Sequence, residues 1–242
     1  MTLQTKNLSK HFDGVQAVED LSLTIAAGKL TGIIGPNGSG KTTLTHLLTG
    51  IQPISAGAVV IGERTYYRIQ SRVIARLGLT RTFQDVRLFE QMSARDNVLV
   101  VLTKRGVFAA LFGRHSYEHE QTAEAVLRRV GLWEKRAALA GELSYGQRKL
   151  LEIARVLAMD AKIILFDEPF SGLFKEMIGQ VVEIIKELRA AGKTIVLIEH
   201  NMELIRQLSD YIIVMDAGKL LAEGRPEEVL GRPEVIEAYL GE

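Results

Sequence analysis

The run Gly35-Pro-Asn-Gly-Ser-Gly-Lys-Thr42 sets a lysine and a hydroxyl directly behind a glycine-rich turn, in the spacing G-x-x-x-x-G-K-[ST]. Such glycines let successive backbone N–H groups curl around phosphate oxygens. Gly35, Pro36, Asn37, Gly38, Ser39 and Gly40 form the cradle. Lys41 reaches the β and γ phosphates of a nucleotide, the Thr42 hydroxyl ligates Mg²⁺, and Thr43 lies near the α phosphate. A second constellation, Asp167-Glu168, follows the apolar run Ile163-Ile164-Leu165-Phe166. Asp167 is a hard carboxylate suited to a bound Mg²⁺. Glu168 diverges from it along an extended backbone, faces the γ phosphate and takes the proton of an attacking water. The bland alternatives are a glycine turn that merely joins strand to helix and two solvated acids at a strand end.

These groups need elements that carry them to one place. Leu30–Ile34 is a short apolar strand entering the glycine run, and a helical pattern follows from Lys41 to Leu48. Strand patterns at Lys162–Phe166 and Thr194–Glu199 flank the helical Met177–Leu188, a βαβ rhythm that implies a parallel sheet. His200 ends the second of these strands, so it contacts the γ phosphate or orients Glu168 and the water from the neighbouring strand end; a capping or solvated histidine is the other reading. Gln84, just after Arg81-Thr-Phe83, sees Mg²⁺ or the water by the same logic.

The alternating segment Asp20–Ile25 predicts an amino-terminal antiparallel sheet. From about Phe89 to Leu157 the pattern turns helical, opening on a capping box at Ser93-Ala-Arg-Asp96. The expected fold is therefore α/β: a phosphate-loop NTPase with a parallel core sheet, an antiparallel β subdomain and an inserted helical lobe. Its segments are 1–88, 89–158 and 159–242. The apolar run Gly106–Gly113 is either a packing element or a partner surface.

Composition narrows the function classes. With 242 residues, 47% of them hydrophobic, the chain can bury a sizeable core. A formal charge of +1 without a basic block argues against nucleic acid as a partner. The absence of cysteine excludes disulfides and thiolate metal sites. Neither a signal-peptide h-region nor a membrane-length apolar run is present, so work at a membrane needs borrowed anchorage.

Leu143-Ser-Tyr-Gly-Gln147, read locally, is a Ser-capped helix start. Standing after a helical lobe and before Asp167, with the phosphate loop upstream, it resembles the signature motif of the ATP-binding cassette family, and the resemblance covers nearly the whole chain. In that family two cassettes pair head to tail. The resemblance thus implies a second ATPase subunit, identical or sister, and contacts from Leu143, Ser144, Tyr145, Gly146 and Gln147 to the ATP of the partner. It also implies an adenine contact at Phe12, with core packing as its alternative. A groove after Gln84, including Leu88 and Phe89, is implied to accept a short helix of a membrane permease.

Arg81-Thr-Phe-Gln-Asp-Val-Arg-Leu-Phe89 and the end Pro233–Glu242 look like the ATPase subunits of branched-chain amino-acid importers. Cassettes for urea, other hydrophobic amino acids and lipopolysaccharide export have similar ends. The resemblance implies a Mg²⁺-dependent ATPase on the cytoplasmic membrane face, served indirectly by a substrate-binding protein. A soluble cassette of the repair or translation type and a non-hydrolysing regulator are the other classes. Phe174 departs from the family, standing where a polar residue usually meets the other cassette.

Overall fold

The computed structural model describes residues 1–83, 86–102 and 117–240. Gln84 and the apolar run 106–113 lie outside the described residues. Contacts divide the chain into two units: Met1–Arg81 with Lys162–Glu168 and Ile185–Glu242, and Thr82–Ala161 with Pro169–Ile184.

In the first unit, β1 (Leu3–Phe12), β2 (Val15–Leu21), β3 (Thr24–Ile25), β5 (Ala56–Ile61) and β6 (Arg64–Tyr66) make an antiparallel sheet in the order β2-β1-β5-β6, with β3 on β1. Asp13 and Gly14, at φ 40° and 91°, turn β1 into β2 through the left-handed conformations that a two-residue hairpin requires. The expected strand Asp20–Ile25 is interrupted. Asp20 and Leu21 end β2 and Thr24–Ile25 form β3, with Ser22 and Leu23 outside both. At the bulge before the break Asp20 takes φ 48°, donates its N–H to Ser9 Oγ and accepts from the Asn7 side chain at 2.7 Å.

The second sheet of this unit runs β11-β10-β4-β9-β8-β7. Its parallel strands are β7 (Leu79–Arg81), β8 (Ile163–Asp167), β9 (Thr194–Ile198), β4 (Leu30–Ile34) and β10 (Tyr211–Asp216); β11 (Lys219–Gly224) closes the edge antiparallel. Strands β4, β8 and β9 are buried throughout, which explains their largely apolar sequences. Helix α1 (Lys41–Leu48) covers this sheet by packing Leu44, Leu47 and Leu48 with Ile33, Ile163, Leu165, Val196 and Ile213.

The second unit holds α2 (Ala94–Leu102), α3 (Tyr117–Arg129), α4 (Tyr145–Ala158) and the first half of α5 (Lys175–Ala190). Ser93 caps α2 as expected, accepting the Asp96 N–H at 3.0 Å, while its own hydroxyl donates to Asp96 Oδ2 at 2.6 Å. The unit begins earlier than residue 89 and recruits 169–184 for a physical reason. The Phe83 N–H donates to Glu152 Oε1 on α4 at 3.0 Å, and the Gln180 side chain donates to the Arg129 carbonyl at 2.8 Å. Helices α6 (Met202–Leu208), α7 (Pro226–Val229) and α8 (Pro233–Leu240) complete the first unit.

Candidate nucleotide site

Three strand ends stand level in the parallel sheet: Ile33 of β4 pairs with Ile198 of β9, and Ile198 with Asp167 of β8. At about 4.8 Å per strand, Asp167 and Ile33 lie roughly 10 Å apart across β9. The chain therefore leaves the same sheet edge three times, into Gly35, into Glu168 and into His200.

The glycine loop enters α1 through Gly40, which takes φ 96° and would set a Cβ 2.4 Å from the Ala17 carbonyl oxygen. No other residue fits that turn. Gly40 caps α1 without a side-chain hydrogen bond, and the first turn carries no acidic residue. Backbone N–H groups and the positive dipole end are thus presented together, a donor set suited to an anion. Asn37 and Gly38 are exposed, whereas Gly35, Pro36 and Ser39 are buried. Lys41 Nζ lies within the loop, donating to the carbonyls of Gly35 at 2.6 Å and Pro36 at 2.8 Å and to Ser39 Oγ at 3.3 Å. Thr42 is exposed and Thr43 partly so.

Asp167 is the last residue of β8 and is buried; its Oδ2 accepts from Arg81 Nη2 at 2.9 Å. Glu168 is not extended, which corrects the sequence argument. Its φ of 46° lies in the left-handed region, at a cost of about 1 kcal/mol for a non-glycine residue, and its N–H donates to the Ile198 carbonyl at 3.0 Å. The two acids part because the chain turns there, rather than through the alternation of a strand. His200 is exposed; its N–H donates to Glu199 Oε2 at 3.3 Å, and its Nδ1 lies 3.9 Å from that same buried carboxylate. Among the described residues no three His, Cys, Asp or Glu side chains gather into a metal cage. The hard oxygen donors of Asp167 and Thr42 are of the type that suits Mg²⁺. Phe12 is 39% exposed with Lys10 Nζ 4.7 Å from its ring centre, so its face is not spent on the core.

In the second unit Ser144 caps α4. Its Oγ accepts the Gln147 N–H at 3.4 Å, and its N–H donates to Gln147 Oε1 at 3.1 Å. Ser144 and Tyr145 are exposed, whereas Leu143 and Gly146 are buried. A Cβ on Gly146 would come 2.8 Å from Met177 Sδ, and one on Gly172 would come 2.6 Å from the Tyr145 ring. The helix start and the turn after the acids are therefore packed on one another within this unit. Phe174 leaves that turn 72% exposed. Phe89 is 48% exposed beneath the Arg155 guanidinium, and Leu88 is partly buried. Burial raises the pKa of Glu152, on α4, to about 7, while hydrogen bonds from the Phe83 and Arg87 backbones and the charges of Lys149 and Arg155 pull it down.

Two residues escaped the sequence reading of roles: Arg81, on the metal-side acid, and Glu152, on the backbone at Phe83. A charged residue in a short buried strand was the available signal for the first, and a glutamate on the apolar stripe of α4 for the second.

The ABC transporter family matches residues 18–171, and the branched-chain amino acid ATP-binding cassette transporter family matches residues 219–242. The high-affinity branched-chain amino acid transport ATP-binding protein LivG of Salmonella typhimurium is 39% identical over 249 aligned residues, covering 99% of this chain and 98% of LivG. The lipopolysaccharide export system ATP-binding protein LptB of Escherichia coli is 34% identical over 241, covering 100% and 98%. The ADP conformation of MJ1267, an ATP-binding cassette of an ABC transporter, is 33% identical with a TM-score of 0.85 over 100% of both chains.

Proposed function

This chain belongs to the ABC transporter family, and from that premise we propose that it is the ATP-hydrolysing motor subunit of an importer of branched-chain or related hydrophobic amino acids. One observation carries the motor assignment: the phosphate loop and the acid pair leave the same edge of one parallel sheet. The amino-acid reading is supported by end-to-end likeness to LivG and by the match of the carboxy-terminal segment, which favours import over the export role named for LptB.

The loop Gly35–Gly40 and Lys41 bind the phosphates of ATP, and Phe12 stacks on the adenine. Asp167 and Thr42, with Gln84, hold Mg²⁺, which when bound neutralises charge on the β and γ phosphate oxygens. Glu168 accepts a proton from water as the water oxygen bonds to the γ phosphorus. The bond from that phosphorus to the β–γ bridging oxygen breaks, leaving ADP and phosphate. His200 orients the water or Glu168.

Ser144, with the first N–H groups of α4, completes the ATP site of a second cassette. Binding of ATP then closes the pair and hydrolysis reopens it. Leu88 and Phe89 offer the docking surface for a permease helix, and the protein works peripherally on the cytoplasmic face of the membrane. Among the described residues no helix is long and apolar enough to cross a membrane.

The test is isolation of the tagged chain from its native membrane. Co-purification of a multi-span permease, together with ATPase activity that rises when the binding protein is loaded with a branched-chain amino acid, supports the reading. Stimulation by lipopolysaccharide-type lipid and not by amino acid overturns the import assignment.

A further inference from the structure

Behind the sheet edge a line of hydrogen bonds, buried except for its last link, joins two of the residues assigned to the metal, Asp167 and Thr42. Arg81 ends β7, beside Leu165 of β8, and its side chain is only 6% exposed. Its Nη2 donates to Asp167 Oδ2 at 2.9 Å and its Nη1 to Thr49 Oγ1 at 3.3 Å. Thr49, at the carboxyl end of α1, donates its own hydroxyl to the Thr45 carbonyl at 2.6 Å. Thr45 Oγ1 in turn donates to the Thr42 carbonyl at 2.8 Å. Thr45, Thr49, Arg81 and Asp167 are all buried.

We infer that Arg81 and Thr49 are positioning residues for the metal: they hold the Asp167 carboxylate and the Thr42 end of α1 at one fixed separation. Arg81 touches Asp167 and Thr49 directly, and Thr49 and Thr45 continue along α1 to the Thr42 carbonyl, so both ends meet on the Arg81 guanidinium. A guanidinium suits the middle of the line because its planar fork reaches two acceptors at once, which an ammonium on a flexible stem does not do with the same geometry. A buried arginine must be paired in any case. What exceeds that requirement is its choice of partners: the metal-side acid on one arm and the helix behind the phosphate loop on the other.

The inference rests on the nucleotide reading, and the experiment separates the two. Arg81→Lys and Thr49→Val both keep the charge beside Asp167, so they probe geometry and leave the local electrostatics in place. Mg²⁺ is titrated against binding of a fluorescent ATP analogue to EDTA-treated protein whose fold is checked by circular dichroism. The Mg²⁺ concentration giving half of the metal-dependent tightening is expected to rise about 10-fold in Arg81→Lys and less in Thr49→Val, the scale seen when groups that orient metal ligands are removed. Affinity without Mg²⁺ should stay within about twofold of wild type. Should Arg81→Lys fail to fold, Thr49→Val alone decides. A Mg²⁺ requirement unchanged in the folded variants overturns the inference, as does an equal loss of metal-free affinity, which would mean that the line supports the loop as a whole. Wild-type protein that binds no nucleotide overturns the nucleotide reading itself.

Discussion

The two units begin these helices in opposite ways. In the first, α1 begins at Gly40 with no side-chain cap, Lys41 is held by the loop's own carbonyls, and Asp167 and Glu168 are anchored from neighbouring buried strands. In the second, α4 begins at Ser144, whose side chain caps its own helix while Ser144 and Tyr145 face outward and Phe174 stands nearly bare. One constellation is assembled by its own sheet; the other has only one side. In the proposed reading another chain completes this one-sided helix start, and substitutions confined to one half or the other put that contrast to the test.

Glu168→Gln attacks the self-contained half. Hydrolysis should fall by a factor of about 10² or more while ATP binding persists, since a positioned general base contributes on that scale. Steady-state phosphate release at the wild-type rate would remove Glu168 from its role.

Ser144→Arg, introduced into Glu168→Gln protein, attacks the one-sided half. The Glu168→Gln parent should run as a dimer with ATP on size exclusion, and the double variant should stay monomeric with nucleotide affinity within about twofold of its parent. An ATP-dependent dimer in the double variant would mean that Ser144 does not face a partner.

Glu152→Gln probes what holds the second unit together. Because burial raises the pKa of Glu152 from 4.5 to about 7, the folded chain binds more protons than the unfolded one between those values. Stability contributed by this group is therefore greatest below pH 4.5 and declines as pH rises towards 7. Glutamine has nothing to titrate. Relative to wild type, the variant should gain about 2 kcal/mol between pH 5 and pH 8 in urea unfolding. Parallel curves for the two proteins would show that Glu152 does not titrate in that window.

Phe174→Asn should have the smallest effect. It restores a polar group to an exposed position, so the Hill coefficient of hydrolysis should change while single-site ATP affinity stays put. If neither moves, Phe174 is a tolerated surface residue.

Much of the candidate site was legible because its parts are local. The phosphate loop is a contiguous run whose strand and helix announce themselves by an apolar pentad and a 3.6-residue period. Strand β4 and helix α1 therefore fall on the expected residues, Leu30–Ile34 and Lys41–Leu48. The Ser144 cap was legible for the same reason, since its hydrogen bonds reach only three residues along the chain. The conformation of Glu168 was not. Its left-handed turn occurs in a residue that disfavours it, and the compensating bond to the Ile198 carbonyl comes from another strand.

Sequence alone thus dictates which chemistry-bearing residues exist, which elements carry them, and that a phosphate loop and an acid pair share one parallel sheet. How they are held emerges only in three dimensions: Arg81 meets Asp167 across 86 residues of chain and Thr49 across 32. The same is true of Tyr145 covering Gly172 and of Glu152 receiving the Phe83 N–H. Backbone propensity and periodicity act over a few residues. Pairing a buried charge depends on which strands become neighbours, and that is settled when the sheet assembles around its core.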